Sequence, residues 1–499
     1  MSSECKHPKN LLVIMVDQMR LQAMEFWNSP HFELNTVNDP VLTPNLNRLA
    51  SESLVLSQAV SNTPVCSPYR AIFYSGRYPR QNGVPANCNS RTAPWQCELK
   101  EDLQCWTDLL AAQGYSLGHI GKWHLDAPHS PYVDCYNNRG KTAWNEWCPP
   151  HRRHGFQFWY SYGTYDRHLN PMYWKTEASR EEYHFVDQWG PEHEADLALQ
   201  YLVNEDGKYR NPETPFALVV SMNPPHTPFD QVPQRYLERY QHRSIAELLN
   251  RPNVPPLDSC PPQARHAATH IREYFAMVTG IDEQVGRILD GLDQLGLQND
   301  TIVLFISDHG CCMGSHGHAF KNVWYAESAL IPFLIRCPGV IPPRHEPSLI
   351  CNGFDIYPTL LDLLGYPLSD TGSLPGRSLA PVFRGEVPVD NNAVAPLFFY
   401  QTDPVNWNEP FVEDHLDYGG RGVRTNRYTF VIQFSPSDTQ ARIELYDHQN
   451  DPYEMNNIAA EQPDLCRQLF ETVLAPIMHE AGDSKWVETA RSLLERQSS

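Results

Sequence analysis

The chain has 499 residues, enough for two or three domains and a large buried core. Apolar residues at 41% and charged residues at 20% describe an ordinary globular protein. Thirty-nine basic against 59 acidic side chains leave a net charge of −20, which argues against a broad nucleic-acid binder. No apolar run approaches the roughly 18 residues that a membrane-spanning helix requires, so neither nucleic acid nor membrane is expected as a partner.

Leu11–Val16 is the first element. It is shorter than the apolar part of a secretory signal, acidic Asp17 stands directly behind it, and no small-residue cleavage site follows. It reads as a buried strand, and the chain as cytoplasmic. Thr43-Pro44 then opens a helix, with Thr43 as N-cap and Leu46 and Leu49 on one face. Residues 123–192 form a long, irregular insertion dense in Trp, Tyr, His and Arg, a composition that suits a functional loop. Phe216–Val220 and Thr301–Ile306 repeat the first pattern: Val, Ile, Leu and Phe without polar alternation, as in parallel strands covered on both faces. Between them a helix is expected from His266 to Leu295, where Tyr274, Met277, Ile281, Val285, Ile288 and Leu292 recur at three- and four-residue steps.

Beyond the Gly-, Ser- and Pro-rich loop Ser369–Gly376 the texture changes. Leu397–Tyr400, Tyr428–Phe434 and Ile443–Tyr446 read as strands without crossover helices, and Pro463–His479 as a closing helix. Thirteen cysteines, an odd number without repeating spacing, imply no disulfide framework.

The sharpest chemical feature is Cys66-Ser67-Pro68-Tyr69-Arg70. Pro68 suits a first helical turn, so Cys66 belongs at a helix N-terminus, where unpaired N–H groups favour an anion. Arg70 adds a planar cation with several donors for a tetrahedral oxyanion. Asp17 and Asp308 each follow directly on a buried strand. In open α/β sheets ligands bind beyond the strand C-termini, and two carboxylates converging there would repel unless a cation sat between them. The alternative for either Asp alone is a helix cap. His226 lies among Pro224, Pro225 and Pro228, just past Phe216–Val220, in a rigid turn. His124 is two residues from Lys122, so in extended chain both would point the same way. His309, Cys311, Cys312, His316 and His318 do not have zinc-ligand spacing; Cys311-Cys312 reads as structural, with His316 and His318 left open. No phosphate-loop or dinucleotide motif occurs.

Cys66–Arg70 followed by Ser75-Gly76-Arg77-Tyr78-Pro79 resembles the signature of the type I, formylglycine-dependent sulfatases, which belong to the alkaline phosphatase superfamily. Val13–Gln18, Gly121–His124, Pro224–Phe229 and Ser307–Gly310 leading to Lys321 match in the same order, and Glu444–Asn457 resembles the family's C-terminal tail. The resemblance implies an α/β fold: an alkaline-phosphatase-like mixed, mostly parallel sheet sandwiched by helices over residues 1–375. A smaller C-terminal α+β domain on an antiparallel sheet follows over 376–499. It also implies hydrolysis of sulfate monoesters, with Cys66 oxidised to formylglycine by a maturation enzyme and its hydrate acting as nucleophile. Cys66, Arg70, Lys122, His124, His226 and Lys321 are then the expected catalytic residues. Asp17, Gln18, Asp308, His309 and position 66 would hold one divalent ion, Ca²⁺ with Mg²⁺ as the alternative. A carboxylate such as Asp308 would assist attack, Lys321 or His226 would protonate the departing oxygen, and His124 would deprotonate the remaining hydroxyl.

Gln18 and His309 depart from the commonest pattern, Asp and Asn. An amide oxygen still suits Ca²⁺; imidazole nitrogen does so less well, which leaves a position outside the ligand set open to His309. The segment from Trp144 to Trp189, with its cationic clusters His151–His154 and Tyr165–His168, is the expected pocket wall for a sulfated carbohydrate, small or oligomeric. Two alternatives remain: a phosphonate monoester or phosphodiester hydrolase with the same nucleophile, and a non-catalytic protein that binds sulfated glycans.

Overall fold

The computed structural model describes residues 9–400, 418–434 and 442–497. Ten strands form one sheet: β1 (Asn10–Val16), β2 (Leu54–Val60), β3 (Ser116–Lys122), β4 (Phe158–Tyr162), β5 (Met172–Lys175), β6 (His184–Phe185), β7 (Phe216–Met222), β8 (Thr301–Ser307), β9 (Phe333–Arg336) and β10 (Arg344–Asn352). Their order is β10-β2-β9-β8-β1-β7-β3-β4-β5-β6. The centre is parallel, β8-β1-β7-β3-β4, while β9 runs antiparallel to both its neighbours and β5 and β6 add an antiparallel edge. This is the mixed, mostly parallel sheet expected.

Alternation along β1 shows why its pattern is unbroken. Leu12, Ile14 and Val16 enter one core and Leu11, Val13 and Met15 the other, so both faces are covered. The helix Ile271–Gln294 covers the first face; Cys66–Ser75 and Gly353–Leu363 cover the second. Register decides where chemistry can gather. Val16 pairs with Met222 and with Ser307, and Gly121 with Ser221. Asp17, Lys122, Asn223 and Asp308 therefore meet at one edge, the C-terminal ends of four neighbouring strands.

A second sheet, antiparallel, consists of β11 (Ala395–Tyr400), β12 (Gly419–Arg424), β13 (Tyr428–Phe434) and β14 (Arg442–Asp447). It shares a core with the C-terminal helices Pro463–Leu469, Ala475–Glu480 and Val487–Gln497. Phe398 N donates to Asn62 O at 2.7 Å, and Asn62 Nδ2 to Pro396 O at 2.7 Å, joining it to the main sheet.

Three local expectations change, and one strand was not expected. The helix expected from His266 to Leu295 is two, Pro262–Thr269 and Ile271–Gln294, separated at His270. Thr43 does not cap with its side chain; its Oγ1 instead accepts from Glu25 N at 2.8 Å. The insertion is less irregular than expected, since β4, β5 and β6 extend the main sheet. The strand β12 (Gly-Gly-Arg-Gly-Val-Arg) has no apolar pattern to announce it.

Candidate active site

Val65 is extended, and helix Cys66–Ser75 starts at Cys66 with all ten residues buried. Its first N–H groups have no partner within the helix, which leaves a positive end at the strand edge. One turn on, Arg70 shares the face of Cys66. Its Nε is 3.0 Å from Asp308 Oδ2 and its NH2 3.3 Å from Asp17 Oδ2, while NH1 donates to Lys122 O at 2.9 Å and Ser221 Oγ at 2.6 Å. The guanidinium thus ties together β1, β3, β7 and β8.

The side chains of Asp17, Asp308, Arg70 and Lys122 are all shielded from solvent, 0–1% exposed. Lys122 Nζ is 2.7 Å from Asp17 Oδ2 and donates to Asn223 Oδ1 at 2.9 Å. Burial alone would raise the carboxyl of Asp17, but Lys122, Lys321, His226 and His309 hold it well below the usual range. Asp308 moves the other way. Burial first, and then the charge of Asp17, push it up to about 6.

Around Cys66 Sγ stand Lys321 Nζ at 3.0 Å, His309 Nε2 at 3.4 Å and Asp17 Oδ1 at 3.6 Å. Burial opposes ionisation of the thiol, and so does Asp17. Lys122, Lys321 and His309 outweigh both and hold it well below its ordinary value. The carboxylate touching Sγ is thus Asp17, whereas both oxygens of Asp308 are engaged, by Arg70 and by Gln18 N at 3.1 Å.

Asp17, Cys66, Asp308 and His309 each bring a donor atom within 4.8 Å of the others. His309 Nδ1 lies 2.9 Å from Gly310 O, which requires its proton there and turns Nε2 toward both carboxylates at 3.5 Å. Gln18 sits at φ +70 with its buried Oε1 unpaired and its Nε2 3.5 Å from Cys311 Sγ. Two convergent carboxylates, an aimed imidazole nitrogen and an orphaned amide oxygen fit a divalent cation.

A cavity of about 380 Å³ opens over Cys66, lined among others by Lys122, His124, Trp144, His226, Phe320 and Lys321. Five of the six expected catalytic residues, Cys66, Lys122, His124, His226 and Lys321, line it, and Arg70 adjoins them through Lys122 O, Asp17 and Asp308. His124 arrives differently than expected: at φ +56 it is not extended, its Nε2 is 3.2 Å from Cys88 O, and its buried Nδ1 is unpaired. Burial lowers it to about 4, so it is a neutral base. His226 Nδ1 is 2.6 Å from Thr227 O. Its value is raised: burial and two lysines oppose the charge, and Asp17 and Asp166 favour it.

The insertion divides. Trp144, Asn137, Thr164 and Asp166 reach the cavity. Arg152 instead pairs with Asp126 at 2.7 Å, Arg153 lies over Trp159 and His154 faces Asp108 at 3.1 Å, so these three are structural, and His151 is exposed outside the cavity. Cys311 and Cys312 are buried, and neither joins a metal-ligand cluster among the described residues; His316 stacks on Tyr325 at 3.6 Å. Asn223, Ser221 and Asn137 were not anticipated, and Asp166 stands in the expected wall segment Tyr165–His168, where no role was assigned to it. For Asn223 a signal existed: like Asp17 and Asp308, it directly follows a buried strand.

Such a site on such a sheet is that of an alkaline-phosphatase-like hydrolase. The Sulfatase family profile matches residues 9–366, and that of the N-sulphoglucosamine sulphohydrolase C-terminal region matches 314–475. The chain belongs to the sulfatase family and is a sulfuric ester hydrolase. It is 37% identical over 98% of its length to an endo-4-O-sulfatase of Bacteroides thetaiotaomicron, covering 95% of that protein. An ulvan-active sulfatase of Formosa agariphila is 30% identical over 93% of this chain and 78% of its own. A solved sulfatase from Bacteroides fragilis is 41% identical at a TM-score of 0.86, with 98% of this chain and 99% of that one covered. The phosphonate monoester hydrolase of Agrobacterium radiobacter, 21% identical at a TM-score of 0.66 with 95% of this chain and 96% of that one covered, shares the fold.

Proposed function

We propose that this sulfatase removes sulfate from a sulfated carbohydrate, and that a 4-O-sulfated glycosaminoglycan oligosaccharide is the substrate to try first. The observation that carries the reading is the convergence of Asp17, Arg70, Lys122, His124, His226, Asp308, His309 and Lys321 on Cys66. The relative named an endo-4-O-sulfatase supports the position of the ester, a solved protein of glycosaminoglycan metabolism that is 36% identical over 99% of this chain supports the polymer, and a cavity wall combining Trp144 with polar Asn137, Thr164 and Asp166 suits a sugar.

Asp17, Gln18, Asp308, His309 and position 66 would hold one divalent ion, Ca²⁺ in view of the carboxylate and amide oxygens, which would offset charge on the sulfate oxygens. A formylglycine-generating enzyme is the implied maturation partner, and the hydrated aldehyde at position 66 supplies a hydroxyl nucleophile and a second hydroxyl for release of sulfate. The protein's own groups do the rest. Arg70 holds the carboxylates of Asp17 and Asp308 beside the helix end and offsets their charge. Lys122 and Lys321 present ammonium groups to the sulfate oxygens where charge develops. His226 or Lys321 gives a proton to the departing oxygen, and neutral His124 accepts one at position 66 during release.

The test is a desulfation screen of defined sulfated mono- and oligosaccharides with matured protein, read as released sulfate. Turnover of a 4-O-sulfated glycosaminoglycan oligosaccharide is expected. Faster turnover of a phosphonate monoester than of any sulfate ester would replace the reading. Cys66 left unmodified after co-expression with the maturation enzyme would favour a glycan-binding protein.

A further inference from the structure

His226 meets two acceptors with one nitrogen. Its Nδ1 is 2.6 Å from the carbonyl oxygen of Thr227 and 3.6 Å from Oδ1 of Asp166. A carbonyl oxygen can only accept, so Nδ1 carries a proton. A neutral ring then keeps its lone pair on Nε2 and can only take a proton there. Only the doubly protonated ring can give one. The charged ring is not favoured by everything around it: burial, Lys321 and Lys122 all oppose it. Asp17 helps, but its Oδ2 is already bound by Lys122 and Arg70. His168, held neutral by burial at about 4, gives its Nε2 proton to the carbonyl of His226 at 3.0 Å and adds no charge. Asp166 is the remaining anion facing the ring.

The placement of Asp166 fits that role. The residue is half-buried, yet its Oδ1 is sealed from solvent and makes no hydrogen bond in the described structure. A shielded carboxylate oxygen without a donor is costly unless a cation stands beside it. The side chain is clasped from behind: Asn137 Nδ2 donates to Asp166 Oδ2 at 2.8 Å, and Asp166 N donates to Asn137 Oδ1 at 2.9 Å. The preceding carbonyl, Tyr165 O, accepts from Asn223 Nδ2 at 2.9 Å, and Asn223 Oδ1 accepts from Lys122 Nζ. The carboxylate is thus fixed to the same framework that holds the lysine.

We propose that Asp166 is a positioning residue that, anchored by Asn137, keeps His226 doubly protonated so that its Nε2–H is available to the departing oxygen of the sulfate ester. The inference rests on the reading of His226 as proton donor. As the nucleophile at position 66 bonds to sulfur and the bond from sulfur to the departing oxygen breaks, the Nε2 proton moves to that oxygen, the alcohol leaves neutral and the sulfuryl group stays on position 66. The ring returns to its Nδ1–H form, its Nδ1 proton still shared with Thr227 O, and Asp166 takes no proton.

Matured protein is assayed with two aryl sulfates: 4-nitrophenyl sulfate, whose leaving group needs little protonation, and phenyl sulfate, whose leaving group needs much. For Asp166→Asn, kcat/KM on phenyl sulfate is expected to fall on the order of 100-fold, with a far smaller loss on 4-nitrophenyl sulfate. The alkaline limb of the phenyl sulfate pH profile moves down by about one unit or more, and Asp166→Glu restores part of it. Equal losses on both substrates with an unmoved limb would overturn the inference, because a carboxylate that only shapes the cavity or touches substrate predicts that result. Should Asp166→Asn fail to fold, Asn137→Ala loosens the clasp and the same two readouts apply in the same sense. His226→Gln separates the layers. If it loses both substrates equally, the reading of His226 as donor fails. If it discriminates between them and Asp166→Asn does not, only the inference about Asp166 fails.

Discussion

The ammonium of Lys321 stands 3.0 Å from the sulfur of Cys66, although 255 residues separate the two in the chain. Burial alone would keep this thiol protonated, and Lys122, Lys321 and His309 reverse that. Protein made without a maturation enzyme should therefore carry one unusually reactive thiol. Iodoacetamide labelling near neutral pH, mapped by mass spectrometry, is expected to modify Cys66 well before Cys105, Cys148 or Cys351, whose burial pushes their thiols up. Lys321→Met should slow labelling of Cys66 about tenfold for each unit by which its thiol then lies above the assay pH. Equal rates at Cys66 and Cys105 would contradict the electrostatic account.

Arg70 bridges Asp17 and Asp308 with different nitrogens of one fork, and none of the three side chains is more than 1% exposed. Removing the cation leaves two buried carboxylates facing each other, a loss typically worth about 3–5 kcal/mol. Arg70→Met should lower the urea midpoint accordingly in ion-free protein. Arg70→Lys keeps the charge but cannot reach Asp17, Asp308, Lys122 O and Ser221 Oγ together, so it should fold better than Arg70→Met and still lack sulfatase activity. Urea unfolding and sulfate release on the same preparations check both.

Much of this arrangement was legible because two periodicities coincide with chemistry. β1, β7 and β8 are unbroken apolar runs, so their ends can be located, and Asp17 and Asp308 stand directly past them. The segment holding Asp166 was legible as pocket wall, but the part that Asp166 and Asn137 play was not, because it comes only from His226, which is distant in sequence. β12 was illegible for another reason. Its place is set by Arg421 against Asp483 at 2.8 Å, Arg424 against Glu454 at 2.9 Å, and the close approach of Gly422 to Phe430 O, none of which leaves an apolar signature. The same blindness applied in part to His309, which the resemblance placed among the ligands with a neighbouring position as the alternative, and whose hydrogen bond to Gly310 O aims Nε2 at the carboxylates.

Asp308, pushed up to about 6 by burial and by Asp17, ties ion binding to pH. In ion-free protein the folded state holds this proton more tightly than the unfolded chain, whose carboxyl titrates near 4. The group's contribution to stability is thus complete below about 4 and is lost as pH rises through about 6. A divalent ion reverses the trend by binding the ionised pair. The rise in Tm on adding Ca²⁺ is therefore expected to be small near pH 5 and to grow toward pH 7. In Asp308→Asn that growth should disappear. A Ca²⁺-induced shift of equal size at both pH values, measured by differential scanning calorimetry, would show that Asp308 is not the proton site competing with the ion.

Gly121 precedes Lys122 at the end of β3, at φ +94, and a Cβ there would stand 2.2 Å from Ser221 O on the paired strand β7. Gly114 has a similar φ of +83 but nothing within 4 Å of its would-be Cβ. The two positions separate backbone strain from strand separation. Gly114→Ala should lose about 1 kcal/mol, the cost of a left-handed alanine. Gly121→Ala pays the same strain and must also push β3 away from β7, so a loss of at least about 2 kcal/mol is expected. The movement would displace Lys122 from Asp17 and Ser221 Oγ from Arg70, so sulfate release should fall even at temperatures where the variant remains folded. Chemical denaturation of both variants beside wild type is the measurement. If the two alanines cost the same, the strands can part at Gly121 without penalty, and the tight pairing there does not hold Lys122 in place.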